Sequence, residues 1–317
     1  MQWSDRVGRR LKLRDLHILL AVAKSGSMGK AAVDLAISQP SVSKAIADVE
    51  RTLGLRLLDR GPEGVEPTMF GHAVLKCGVA VFDELRRGVT ELEHLVDPSS
   101  GELYVGCTET MAAGFASHVI DVLSRQYPRV VFHLVPADRD TLLNRELRER
   151  TIELVIAPTA GLPPEGDTDC EVLFDDQFVV MVGAGTKWVR KRNVRLADLL
   201  DEPWILPPPE SLPGQAIAQA FRATGLTPPR SHVVSFSVSA HHHLLATGRF
   251  LTMLPRSTLR FGHHVSLRHL PVKIPKASYP TGIITLKNRT LSPLARPFID
   301  CARKAAAELA MAPIDSS

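Results

Sequence analysis

Leu13, Leu16, Leu20 and Ala23 recur at helical spacing and predict a first amphipathic helix that ends near Ser25-Gly26. Ser27 is placed to cap a second, short helix carrying the small pair Ala31-Ala32 and then Leu35. After a break at Ala36-Ile37, Ser38 caps a third helix, with Pro40 in the first turn where its missing N–H costs nothing. Val42, Ile46, Val49 and Leu53 form the buried stripe of that helix, and Gly54 ends it. Gln39, Ser41, Ser43 and Lys44 are left near its exposed start. Leu57-Leu58 and Val65 then flank a Gly-Pro-Glu-Gly turn, which predicts a small hairpin with Arg60 at its base.

From Thr68, a cap, a long helix runs to about Leu95. Val74, Gly78, Val81, Leu85, Gly88, Leu92 and Leu95 step by 4, 3, 4, 3, 4, 3, a heptad seam with five apolar positions out of seven. Such a seam serves either a second copy of the helix or the helix's own domain. Asp97-Pro98-Ser99-Ser100-Gly101 breaks the helix. Strand and helix patterns then alternate. Strands are predicted at 103–105, 130–135, 154–157, 174–182, 204–206, 233–236, 250–254 and 282–286. Helices fall at 112–127, 140–150, 196–200, 214–224 and 241–247, and a last one over 292–309 is capped by Ser292 with Pro293 at its first position. Alternation of this kind predicts a parallel or mixed sheet covered by helices, an α/β fold.

Charge sharpens the division. The chain has 317 residues and a formal net charge of +4. Residues 1–60 hold eleven Lys/Arg against six Asp/Glu, and the remainder 27 against 28. A basic head on a neutral body points to a polyanion at the N-terminal end. A helix that begins with small polar and basic residues fits the major groove of B-DNA, where Gln and Ser reach base edges and Lys44 pairs with phosphate. A helical bundle with a merely solvated polar face has the same spacing. Cys77, Cys107, Cys170 and Cys301 lie far apart with no C-x-x-C pair, which fits neither a disulfide framework nor a zinc site. No signal-peptide core and no stretch of 18 apolar residues is present, so the expected location is the cytoplasm, with no membrane partner.

The run SGSMGKAAVDLAISQPSVSKAIADVERTLGLRLLDRGPEGVEPTMFG resembles the DNA-binding domain of LysR-type transcriptional regulators, through S-Q-P-S-x-S, E-x-x-L-G and L-x-x-R. GELYVGCTETM, DLLDEPWILPPP and FLTMLP followed by Arg256 are similar to the effector-binding domain of the same regulators. FVVMVGAGTKW and DEPWILPPP also resemble the galactose-binding-protein regulator subgroup. The resemblance implies an all-α N-terminal part followed by α/β: a winged helix-turn-helix over residues 11–67, a linker (dimerisation) helix over 68–96, and a two-lobed effector domain, similar to periplasmic binding proteins, over 97–317. Lobe I would comprise about 101–172 and 274–310, and lobe II about 173–273. It further implies a homodimer paired through the linker helix, a homotetramer, and an inverted repeat in promoter DNA. In the family, the positions here occupied by Gln39, Pro40, Ser43 and Lys44 approach the major groove and the wing approaches the backbone or minor groove; with Ser27, Ser41 and Arg60 they make up the expected DNA-binding set. One departure is the wing, where Glu63 at the tip and Glu66 nearby would face phosphates unfavourably. Thr151, Glu153 and Phe250 also differ from the usual pattern.

Ligands in open α/β sheets sit beyond the carboxyl ends of strands. That rule selects 107–110, 137–140, 158–159, 207–211 and 237–241. Within these stretches the effector candidates are Thr108, Thr110, Arg139, Thr159, Pro208, Ser211, Ser239 and His241. Thr108 and Thr110 suit a carboxylate at a helix start, or are plain caps; Arg139 pairs with an anion, or is solvated. The expected effector is an organic acid or a sugar derivative. His241-His242-His243, His263-His264, His232 and His269 raise the question of a metal, but consecutive helical residues point about 100° apart and cannot easily share one ion. No metal, cofactor or catalytic residue is therefore assigned, and Cys107 at the cleft mouth is a weak candidate redox sensor. The absence of G-x-S-x-G, a P-loop, H-E-x-x-H or a placed G-x-G-x-x-G argues against an enzyme. The predicted function is a sequence-specific transcriptional regulator whose DNA bending answers to a small molecule between the lobes. The alternative is a cytoplasmic solute-binding protein or enzyme with a helical bundle that does not bind DNA.

Overall fold

A computed structural model describes residues 10–61, 64–163, 166–191, 193–261, 267–275 and 277–311. The wing tip Glu63 and the pair His263-His264 lie outside them. The chain divides into two compact units, Met1–Val89 and Thr90–Ser317.

The first unit opens with α1 (Leu13–Ser25), α2 (Met28–Asp34) and α3 (Gln39–Leu53). Ser27 accepts from the Lys30 amide and Ser38 from the Ser41 amide, so both predicted caps form. Leu19, Val22, Ala31, Val42 and Ile46 are fully buried where the three helices meet. Beyond α3 the carboxylate of Glu50 accepts from the amides of Leu57 (2.7 Å) and Leu58 (3.2 Å). This is the physical content of the E-x-x-L-G motif: the acid anchors the chain that leaves the helix. Strands β1 (Leu58–Gly61) and β2 (Gly64–Pro67) pair antiparallel, Arg60 opposite Val65. The Val65 amide donates to the Gly26 carbonyl, and a Cβ on Gly64 would sit 2.6 Å from that oxygen. Only glycine lets the hairpin approach the α1–α2 turn this closely.

Helix α4 (Met69–Val96) is capped by Thr68, whose hydroxyl accepts from the Gly71 amide. The heptad seam is not uniform. Val74, Leu75 and Phe82 pack on the helical bundle, and a Cβ on Gly78 would meet Leu16 and Leu20 at 3.2–3.4 Å. The first turns of the seam therefore serve the helix's own domain, and Gly78 is a close-approach position there, not a weak point in a pairing face. From Leu85 onward the stripe is exposed: Leu92 is 65% and Leu95 73% accessible.

In the second unit, β3 (Ser100–Cys107) lies parallel to β4 (Arg129–Pro136) and β5 (Leu154–Pro158). The 16-residue β6 (Thr168–Gly183) belongs to two groups of strands. As far as Gln177 it pairs with β11 (Ser278–Leu286), which also pairs with β5. From Phe178 it pairs with β9 (Leu251–Pro255), and farther along with β10 (Leu267–Leu270); β9 continues through β7 (Trp204–Leu206) to β8 (Ser231–Val234). The sheet is mixed. Two hydrophobic cores flank the switch in β6. One gathers Phe115, Val119, Ile156, Phe298 and Ala302, between α6 (Phe115–Gln126) and the final helix; the other gathers Trp204, Phe221, Val180 and Met253.

Several elements differ from the sequence pattern. Residues 140–150 are not one helix: α7 (Arg139–Thr141) passes into a π turn at Leu142–Glu146. Pro293-Leu294 precede the final helix, α11 (Ala295–Met311), so Ser292 does not cap it; its amide donates to Glu153 and its carbonyl accepts from Ala295. The strand β10, the first half of β6, the short α5 (Glu109–Ala112) and α10 (Arg256–Phe261) give too little periodicity to read. The remaining α-helices are α8 (Leu212–Ala223) and α9 (Val238–Ala246), and Lys187–Arg190 and Leu196–Leu199 form short 3-10 helices, the second where a helix is predicted over 196–200. No helix among the described residues is long and apolar enough to cross a membrane.

Candidate functional site

Two surfaces carry the predicted chemistry. On the first, α3 buries Val42, Ala45, Ile46 and Val49, which turns Gln39, Pro40, Ser41 and Lys44 outward. Ser41 shares a hydrogen bond with Ser38 (2.8 Å between hydroxyls). Ser43 differs from expectation. One turn from Gln39 it points inward and donates to the Met28 sulfur, so it belongs to the α2–α3 contact. The Ser27 hydroxyl is occupied by its cap. Arg60 is exposed on β1, whereas the neighbouring Asp59 is held by Arg56 at 3.3 Å.

The second surface is a cleft of about 540 Å3 where strand ends from both sides of the β6 switch converge. Thr108 and Thr110 follow β3, Pro136 ends β4 with Ala137 to Asp140 beyond it, Pro207 follows β7, and Ser235 to Ser237 follow β8. Phe178 and Tyr279 bring the crossing strands β6 and β11 to its wall, with Met253 from β9. Of the predicted residues, Thr108, Thr110, Arg139, Ser211 and His241 line it. Thr159, Pro208 and Ser239 do not. The Thr159 hydroxyl turns to the Pro280 carbonyl at 3.2 Å, Pro207 stands at the wall in place of Pro208, and Ser239 is one half-turn past the cap Ser237 that lines the cleft.

The electrostatics of the wall are specific. Arg139 donates through Nη1 to the carbonyls of Ala160 (2.6 Å) and Pro158 (3.3 Å), with Asp140 3.9 Å from its Nε. Burial pulls the proton affinity of its guanidinium below the usual arginine range. Asp138 caps α7, and its bonds from Thr141 hold its carboxyl below the ordinary range. His241, 2% accessible, places Nε2 3.1 Å from the Ser235 carbonyl and Nδ1 3.2 Å from Thr252 Oγ1. A carbonyl only accepts, so Nε2 carries the proton. The Thr252 hydroxyl also lies 2.7 Å from the Ile205 carbonyl, and its single proton serves one partner at a time. Burial pushes the imidazole's proton affinity down and favours the neutral ring. Behind the wall, Asp176 accepts from the amide (3.1 Å) and hydroxyl (2.5 Å) of Ser257; burial raises its carboxyl to about 6. Cys107 is fully buried in a hydrophobic core and its thiol is raised to about 12, so it is not a cleft-mouth sensor. Among the described residues no group of three or more His, Cys, Asp or Glu is gathered to hold a metal.

Residues 13–72 match the family described as bacterial regulatory helix-turn-helix protein, lysR family, and residues 97–307 match the LysR substrate binding domain. The chain belongs to the LysR family of transcriptional regulators. Among LysR relatives, it is 30% identical to the HTH-type transcriptional regulator GbpR of Azospirillum brasilense, over 93% of this chain and 87% of that protein. It is 24% identical to the transcriptional dual regulator GltC of Bacillus subtilis, over 92% and 96%. Full-length CbnR, solved in complex with its target DNA, shares the fold with a TM-score of 0.65 at 21% identity, covering 93% of this chain and 100% of that one. Among the cleft residues that sequence reasoning missed are Phe178, Met253 and Tyr279. They sit within strands that cross to the cleft, and the strand-end rule has no means of selecting them.

Proposed function

We propose that this LysR regulator reads duplex DNA with the start of α3 and answers to a small molecule held in the cleft. Gln39, Pro40 and Ser41 meet base edges, and Lys44 and Arg60 meet phosphates. The observation that carries the reading is the two-sidedness of α3: one face fully buried, the other presenting Gln39, Ser41 and Lys44 to solvent with no hydrogen-bond partner among the described residues beyond Ser38. The exposed end of α4, from Leu85 to Val96, pairs two subunits, and contacts between effector domains extend the dimer to a tetramer. Paired recognition helices then engage two halves of an inverted repeat, spaced by one turn of B-DNA, about 10 base pairs, or a multiple of it. A ligand that favours one arrangement of the two lobes shifts the population of DNA-bound states and so the bend. The protein acts in the cytoplasm and is not an enzyme.

Selection of bound duplexes from a random pool, followed by footprinting, tests this. The expected product is a pseudo-palindrome with such spacing, lost in Gln39→Ala/Lys44→Ala. A pool that stays unselected at low salt contradicts it.

A further inference from the structure

The charges that line the cleft do not suit the acid that a LysR cleft containing an arginine would be expected to take. Its wall holds one guanidinium, Arg139, against four carboxylates, Glu109, Asp138, Asp140 and Glu210, a formal charge of −3 with His241 neutral. Even that single cation is partly committed, its Nη1 bridging the Pro158 and Ala160 carbonyls and Asp140 lying 3.9 Å from its Nε. Several of the other side-chain donors are committed as well. His241 gives its Nε2 proton to Ser235, Ser211 donates to the Pro208 carbonyl at 2.5 Å, and Gln215 donates to the Glu210 carbonyl at 2.8 Å.

The acceptors stand open. Neither the Glu109 nor the Glu210 side chain makes a hydrogen bond or ion pair among the described residues, and the Thr108 hydroxyl, able to accept or donate, is buried there without a partner. Glu109 also stands in the first turn of α5, so the positive end of that short helix already faces a carboxylate of its own. Between these acids the wall is apolar and aromatic: Phe178, Phe236, Met253 and Tyr279. A carboxylate ligand entering here meets an excess of like charge and finds a single cation that is already partly committed, a combination that costs affinity. A ligand that donates, carries positive charge and has an apolar body meets open acceptors and ring faces.

We propose that the effector of this cleft is an organic cation, an amine on a short apolar body. This rests on the reading of the cleft as the effector site.

Titration calorimetry on the full chain tests it with two matched trios: phenethylamine, 2-phenylethanol and phenylacetate, and then putrescine, butane-1,4-diol and succinate. In at least one trio the amine is expected to bind about tenfold or more tighter than its alcohol and its acid, and to weaken as salt rises. Glu109→Gln, and separately Glu210→Gln, should weaken the amine about tenfold and leave the alcohol within about twofold; either variant that keeps the parent melting temperature suffices. The proposal falls if the acid binds tightest, if amine and alcohol are indistinguishable, or if neither trio binds at about 10 mM, enough to fill a millimolar site. Gln215→Trp, an exposed wall position, separates this from the underlying reading. Amine binding that survives the tryptophan places the site elsewhere, and an acid whose binding the tryptophan abolishes keeps the cleft but refutes the cation.

Discussion

The DNA-facing end of α3 and the effector cleft are built in opposite ways. The first is contiguous: Ser38 to Lys44 are set on the first two turns of one helix by a cap, a proline and a buried stripe behind them. The second is assembled from strand ends and crossing strands spread from Thr108 to Tyr279. A contiguous surface depends on local rules and one small core, so its chemistry survives modest damage elsewhere. A cleft of distributed residues depends on sheet register and two cores at once, so damage far from it should reach it.

The largest expected effect breaks the second surface and spares the first. Trp204 is fully buried, donates to the Leu199 carbonyl at 2.8 Å and meets Phe221 edge-on. Trp204→Ala should cost about 3–5 kcal/mol, lower the melting of residues 90–317 and abolish ligand binding, while the helical signal of the N-terminal unit persists in calorimetry. Next, Leu85→Glu/Leu92→Glu on the exposed part of α4 should raise the dimer dissociation constant about 100-fold in sedimentation, because two desolvated acids replace an apolar stripe. The same pair of changes at Val74 and Gly78 should instead unfold the N-terminal unit, which distinguishes the two halves of the helix.

Asp176 supplies a pH test confined to the cleft's supports. Its folded pKa, about 6, is raised above the ordinary 3.8. The folded state therefore binds the proton more tightly than the unfolded one. The stability this contributes is fully present below about 3.8 and is lost as the pH rises through 6, on the order of 2–3 kcal/mol. Asp138, held low by Thr141, works in the opposite sense, so the informative quantity is the difference from Asp176→Asn. That variant should flatten the difference in melting temperature between pH 4 and 6; an unchanged slope counts against the assignment. The smallest effect belongs to the recognition surface itself: Ser38→Ala should lower the stability of the N-terminal unit by about 1 kcal/mol in chemical denaturation and leave cleft binding untouched.

The same contrast decides what could be read from sequence. Caps at Ser27, Ser38 and Thr68, the helix end at Gly54 and the stripe of α3 are local signals, and each appears where the pattern places it. Ser43 misled because helical phase puts it against α2, and a single-helix reading has no second helix to consult. In the α/β unit, the strand-end rule found Thr108, Thr110, Arg139, Ser211 and His241 because these lie in the turns and helix starts beyond strand ends. It chose Pro208 over Pro207 and Ser239 over Ser237, since a shift of one or two residues in a strand or cap changes which side chain faces the cleft. Phe178 and Tyr279 were illegible for a deeper reason: their role follows from β6 changing partners between Gln177 and Phe178, a long-range pairing that leaves no local trace.

The most direct test of the account is the salt dependence of duplex binding by the full chain and by Lys44→Ala, read by fluorescence anisotropy on a selected site. A phosphate contact at Lys44 predicts steep salt dependence in the parent, with a log–log slope about 0.9 shallower in the variant for each phosphate that Lys44 neutralises. Identical slopes with identical affinity would contradict the placement of α3 on DNA.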